Sequence, residues 1–154
     1  MRIQESSVVR RHFRAAFLVM SVTGFASGCG ESTTPSTIAG TWVATSFQFT
    51  QVGQAPVNVL AIGGGMSITI ATNNATTGTL TIPGSLIGGS DLSLSMAGTA
   101  IRTGNTVEFD QAADSFVRDV AWTLAGNTLR GTRTDSGVTV EITLTRQASA
   151  TGYP

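Results

Sequence analysis

Apolar and polar residues alternate along most of the chain beyond residue 38, in short runs separated by Gly, Asn and Asp turns. A period of two is typical of strands with one buried face. Turns such as Gly126-Asn127 favour hairpins because they accept positive φ. The pattern predicts eight strands, at residues 40–50, 65–72, 76–82, 91–101, 106–110, 116–124, 128–134 and 138–146. We therefore expect an all-β domain.

The last strand has the clearest two-sided pattern. Apolar residues and a terminal Arg occupy one face, and Thr and Glu occupy the other; the first face carries Val138, Val140, Ile142, Leu144 and Arg146. A sheet with a dry interior and a wet exterior requires this division. An eight-stranded antiparallel up-and-down barrel is predicted, because closure removes exposed strand edges. A two-sheet β-sandwich with the same hairpins is the alternative.

The first strand does not alternate cleanly. Trp42 shares its face with small and polar residues, whereas Phe47 and Phe49 fall on the opposite face. Two interpretations fit this pattern. Either a β-bulge reverses the faces midway, or both Phe side chains pack outside the barrel under the connection 51–64.

The inward face of the middle strands carries mainly medium-sized apolar side chains. An eight-stranded barrel is just wide enough for side chains to fill it or for one small ligand. The candidate ligand-lining residues are Met66, Ile68, Leu80, Leu94, Met96 and Phe109. A filled core and a ligand cavity remain equal alternatives.

The N-terminal region has the three parts of a secretory signal: a basic cluster, an apolar stretch and small residues before the lone Cys29. Ala26-Ser27-Gly28-Cys29 resembles the lipobox of bacterial lipoproteins, which implies that Cys29 is acylated and becomes the first mature residue. Gly30 follows, where an Asp would resemble an inner-membrane retention signal. We expect a lipid-anchored envelope protein, in the outer membrane; a plain cleaved signal is the alternative.

This interpretation divides the chain into four parts. Residues 1–28 are the signal peptide and 29–37 a flexible lipidated tether rich in Ser, Thr and Pro. Residues 38–147 form the barrel domain, and 148–154 are a loose tail. The domain is large enough to bury one core.

Composition narrows the chemistry of the mature chain. Without residues 1–28, five arginines face eight carboxylates, there is no lysine, and the net charge is −3. A surface with this charge does not favour binding of nucleic acid, because phosphates need basic side chains to neutralise them. The only His leaves with the signal, and Cys29 is acylated, so no general base or thiol nucleophile of the usual kind remains. No cofactor or metal is predicted.

Carboxylates alone could support acid–base catalysis of the glycosidase type. Asp110, Asp114 and Asp119 lie close together in the sequence. Asp is also a standard turn residue, and these positions flank predicted strands. We expect turn and surface roles for them, and no enzyme.

The two ends of the domain carry a further pattern. The first strand opens with Gly40-Thr41-Trp42, and the last strand ends at Arg146. This pair resembles the lipocalin and calycin signature, which implies a barrel whose Arg lies across the Trp and seals the base, with the 51–64 connection as a lid. More narrowly, the segment 114–119 before an aromatic strand is similar to uncharacterised lipocalin-like lipoproteins of bacteria.

Two functions are compatible with these expectations. The first is a non-catalytic barrel that binds a small apolar ligand inside. The alternative is a surface or scaffold lipoprotein with a solid barrel, whose partner is another protein or the envelope itself.

Overall fold

The computed structural model describes residues 37–148. The expected signal peptide, the acylation site Cys29, nearly all of the tether and the tail beyond residue 148 lie outside the described residues. The strands are β1 (Gly40–Gln51), β2 (Val57–Asn58), β3 (Gly65–Ile70), β4 (Ala75–Ile82), β5 (Leu92–Ser95), β6 (Gly98–Thr103), β7 (Thr106–Gln111), β8 (Trp122–Ala125), β9 (Thr128–Asp135) and β10 (Val138–Arg146). A four-residue helix, α1 (Gly84–Ile87), and 3-10 turns at Leu60–Ile62 and Phe116–Asp119 complete the fold.

Eight of the strands form a closed antiparallel barrel, which confirms the predicted fold class. The order around the barrel is β1-β3-β4-β6-β7-β8-β9-β10, and β10 pairs with β1 from Trp42↔Arg146 to Gln51↔Val138. The two remaining strands are additions: β2 pairs with β1, and β5 pairs with β4. Because the first and last strands pair, the eight barrel strands close on one another, which a two-sheet sandwich does not do, and only the short additions β2 and β5 have a free edge.

The connections differ between the two ends of the barrel. At one end, here called the base, the chain turns within two to four residues, at 71–74, 104–105 and 126–127. The chain also enters and leaves the domain at the base, where the Gln147 amide donates to the Thr41 carbonyl at 2.8 Å. The opposite end carries the long connections 52–64, 83–91 and 112–121. The end opposite the base therefore has the material from which binding surfaces are usually made.

A β-bulge in β1 resolves the irregular pattern of the first strand. The register with β10 shifts between Ala44 and Ser46, which leaves Thr45 as the extra residue. The bulge reverses the faces of the strand, so Trp42 and Phe47 are both buried in the interior. Of the two interpretations, the bulge is correct for Phe47.

The predicted strand 91–101 is wrong as a single strand. β5 pairs with one end of β4 and β6 with the other, and the break at Met96-Ala97 lets the Met96 side chain turn fully inward. The carbonyl of Met96 accepts the Thr76 hydroxyl at 2.8 Å. As a result of the break, Leu92 is exposed and Leu94 only half-buried.

The predicted strand 116–124 is also shorter than expected. Its first part is the 3-10 turn Phe116–Asp119, and only Trp122–Ala125 is extended. Phe116 packs on the core and its neighbour Val117 is buried, whereas Arg118 and Asp119 face outward. Two adjacent inward residues suit a turn of helix and not a strand, whose successive side chains point to opposite faces.

A single core fills the barrel. The largest side chains with almost no exposure are Trp42, Trp122, Phe47, Phe109, Ile68, Ile70, Leu80 and Met96. Residues 37–148 contain no helix with the length and apolar character needed to span a bilayer.

Candidate functional site

Trp42 and Arg146 meet at the base of the barrel. The guanidinium carbon of Arg146 lies 4.8 Å from the centroid of the Trp42 ring, within the range of a cation–π contact. The indole N–H of Trp42 donates to the Ile38 carbonyl at 2.9 Å, and an Arg146 N–H donates to the Thr37 carbonyl. Gly40 lies next to the Arg146 side chain and has φ +137°, a backbone conformation that favours glycine. The arrangement closes the base and holds the incoming chain.

The surroundings of Arg146 disfavour its positive charge, but the side chain stays protonated. Burial, and then the positive charge of Arg102, lower the pKa of Arg146. An arginine still keeps its proton under ordinary conditions. Its Nε is buried and has no hydrogen-bond partner among residues 37–148, so the Trp42 ring and the Thr37 carbonyl are the contacts that offset the desolvation of the guanidinium. A packing role explains these contacts fully.

The six candidate ligand-lining residues belong to the packed core. Met66, Ile68, Leu80, Met96 and Phe109 are each at most 3% exposed, and Leu94 is half-buried. They pack in the same cluster as both tryptophans and Phe47. Five of the six thus lie in the interior together with large aromatic side chains, whereas Leu94 lies on β5, which pairs only with β4 and is not one of the eight barrel strands.

A second aromatic cluster lies around Trp122 and was not anticipated. Trp122 has no exposed surface and meets Phe109 edge to face, with ring centroids 5.8 Å apart. Its indole N–H donates to the Val117 carbonyl at 3.2 Å. Gly131 makes room for the ring, because a Cβ there would lie 2.9 Å from ring carbons. In the sequence, only a second Trp followed by a strand that contains Gly131 pointed to this cluster. That pattern is too common to predict a role for either residue.

The carboxylates near Phe116–Asp119 take part in surface ion pairs. Asp114 accepts from Arg118 at 2.7 Å, and Asp119 pairs with Arg133, which also reaches Asp135 at 3.4 Å. These pairs fasten the 3-10 turn to β9. Within residues 37–148, no group of three or more metal-ligating side chains is placed to hold an ion.

The pairing between β7 and β8 is short, although the barrel is closed there and the residues beneath, Phe109 and Val120, are buried. The two strands pair only at Thr106↔Thr123 and Val107↔Trp122. Beyond that point the chain before β8 departs into the 3-10 turn Phe116–Asp119, and the register is lost. A surface cleft of about 440 Å³ lies between β7 and the segment before β8. We call it the wall cleft.

The wall cleft is lined by two segments and a flanking residue. Residues Glu108–Asp110 of β7 form one side, Arg118–Ala121 form the other, and Ile101 of β6 lies beside them. Ile101 is 54% exposed, the most exposed large apolar residue of the barrel strands among residues 37–148. Of the six candidate ligand-lining residues, only Phe109 borders this cleft.

Comparisons with protein-family models, with curated proteins and with solved structures found no match. The closed barrel, the sealed base and the wall cleft are thus the observations from which a function has to be inferred.

Proposed function

We propose that the protein is a non-catalytic, lipid-anchored envelope protein whose barrel is a solid scaffold and whose partner binds on the outside. Of the two functions compatible with the sequence, this one agrees better with the barrel interior. The filled core is the observation that carries it.

The filling of the interior supports a scaffold over an internal ligand site. Trp42 and Phe47 come from β1, and Trp122 and Phe109 come from the opposite side of the barrel; each is at most 2% exposed. An eight-stranded barrel holds either its own side chains or one small ligand, and here large side chains occupy the interior. Ligand pockets of drug-sized molecules usually have a volume of about 300 Å³ or more, and four large aromatic side chains compete for that space.

The carboxylates support a role without catalysis. Asp114 and Asp119 are already bound to arginines at the protein surface. General acid catalysis instead uses a carboxyl group held in an apolar pocket that excludes water. Together with the absence of His and Cys from residues 30–154, this favours binding over turnover.

The position of the chain entry supports binding away from the membrane. The described chain begins at Thr37 beside Arg146, at the base. In a protein anchored through Cys29, the base would face the lipid, and the long connections 52–64, 83–91 and 112–121 would face away from it. A partner in the surrounding compartment could then reach them.

Native mass spectrometry of the protein purified from membranes of cells that express it tests this proposal. The expected mass is that of the chain from Cys29 onward with acyl chains on Cys29 and with no retained small molecule. The matched Cys29→Ser variant is expected to lack the acyl mass and to leave the membrane fraction.

Two results would contradict the proposal. Unchanged membrane fractionation of Cys29→Ser would remove the lipid anchor. A stoichiometric small molecule that stays with the folded barrel would favour the internal ligand site instead.

A further inference from the structure

We propose that a pocket at the mouth of the barrel binds a neutral saccharide. This inference rests on the proposed scaffold function and specifies the chemistry of the partner. The pocket, here called the mouth pocket, lies at the end opposite the base, above the filled core. Its volume is about 430 Å³, within the range of about 300–1,000 Å³ that is usual for ligand sites.

The mouth pocket forms because the inward faces of β9 and β10 continue beyond the core. In β9, Arg133 and Asp135 lie on the same face as the buried Leu129 and follow it toward the mouth. In β10, the residues directly opposite them are Val140 and Val138, which are half-buried. The pocket therefore has a polar wall on one strand and an apolar wall on the next.

The connection 112–121 supplies the remaining wall and part of the floor. Phe116 packs on Phe47, which is 2% exposed, with ring centroids 6.3 Å apart. Phe116 itself is only partly buried, so it covers the core and also lines the pocket. With Val138 and Val140, it forms an apolar surface that suits the C–H face of a sugar ring.

The charged groups of the mouth pocket are already paired with one another. Arg133 donates to Asp119 and, at 3.4 Å, to Asp135. Asp114, at the rim, pairs with Arg118 at 2.7 Å. An anionic ligand would meet three carboxylates, and a cationic ligand would compete with Arg133 for its two partners. A neutral ligand leaves these pairs in place, so neutrality is the first requirement.

Two side chains of the pocket retain unused hydrogen-bonding capacity. Arg133 uses two of its five N–H groups on the carboxylates and has no other acceptor among residues 37–148. Ser115 is 7% exposed, and its hydroxyl has no partner within the same range. That hydroxyl does not cap the 3-10 turn beside it. A buried polar group without a partner costs free energy, which an oxygen of a ligand would offset.

Hydroxyl groups meet all of these requirements. A hydroxyl accepts from Arg133 or Ser115 and donates to the free lone pairs of Asp119 and Asp135. It carries no charge, so the ion pairs persist. A sugar ring carries several hydroxyls around a C–H face, which matches the polar wall of β9 beside the apolar wall of β10. The ligand class is therefore a neutral saccharide, either free or part of a glycan polymer.

NMR titration of the full chain with the neutral disaccharides cellobiose and N,N′-diacetylchitobiose tests this proposal. We expect saturable shifts of the Ser115 and Phe116 amides with at least one of them, and no shift of the Met96 methyl in the core. Agmatine, a cation, and inorganic phosphate should leave these amides unchanged. Cosedimentation with cellulose and chitin separates the two sources: binding to the polymer indicates a glycan, and shifts with the disaccharide alone indicate a free sugar.

A matched pair of serine variants separates the mouth pocket from general effects. Ser115→Ala removes the unpaired hydroxyl and should weaken saccharide binding about fivefold, the usual effect of losing one hydrogen bond. Because that hydroxyl does not stabilise the fold, the variant should resist urea at least as well as the native protein. Ser93→Ala changes an exposed residue of β5, outside the pocket, and should leave the affinity unchanged.

Three results would overturn the proposal: no shift of the Ser115 and Phe116 amides with either disaccharide, equal shifts with agmatine or phosphate, or equal affinity of Ser115→Ala and Ser93→Ala. A shift of the Met96 methyl would place the sugar inside the barrel and would overturn the scaffold function as well. Absence of shifts in both regions overturns the saccharide site alone, so the two failures are distinguishable.

Discussion

Trp122→Ala is expected to lower the free energy of unfolding by about 3–5 kcal/mol, the usual cost of removing a large aromatic side chain from a core. Trp122 has no exposed surface, meets Phe109 at 5.8 Å and donates to the Val117 carbonyl. Its loss would leave a cavity against Gly131, which has no side chain to fill it. Urea unfolding followed by circular dichroism measures the change.

Trp122→Phe is the control for this experiment. It keeps an aromatic ring against Phe109 and loses the indole hydrogen bond and part of the volume, so its cost should be well below that of Ala. If Trp122→Ala lost less than about 1 kcal/mol, the packing described around Trp122 would be incorrect.

Gly98→Ala is expected to destabilise the barrel by about 2–3 kcal/mol, the upper part of the range for overpacking. A Cβ at Gly98 would lie 2.1 Å from the Asp110 carbonyl oxygen and 2.9 Å from the Gln111 Cα. Both contacts are backbone atoms of β7, so β6 and β7 would have to separate. Thermal and urea unfolding measure the loss.

Gly89→Ala is the matched control, because a Cβ there meets nothing within 4 Å. It should change the free energy of unfolding by no more than about 0.5 kcal/mol, as for an ordinary surface substitution. Equal costs at Gly98 and Gly89 would mean that β6 and β7 do not approach as closely as described.

The alternation of side chains made the barrel predictable from the sequence. In β10, Ile142 and Leu144 point inward and are buried, whereas Glu141 points outward and is exposed. The hairpin glycines were equally informative, because Gly104 and Gly126 have the positive φ that short turns require. These are local rules, and each strand or turn obeys them independently of the rest.

The wall cleft could not be predicted, because it depends on how two segments meet. Alternation predicts residues 116–121 as part of a strand, whereas Phe116–Asp119 is a 3-10 turn in which Phe116 packs on Phe47, with ring centroids 6.3 Å apart. Phe47 is in place for that contact because of the bulge at Thr45. The short β7–β8 pairing thus goes with contacts between residues far apart in the sequence, which the alternation within either segment cannot predict.

The stability of Met96→Trp tests most directly whether the barrel is solid. Met96 has no exposed surface and lies in the core with the candidate ligand-lining residues. In a filled interior the larger ring should cost about 3 kcal/mol in the free energy of unfolding, whereas the volume-conserving Met96→Leu should cost no more than about 1.5 kcal/mol. A Met96→Trp protein as stable as the native one would show spare volume inside the barrel and contradict the solid scaffold.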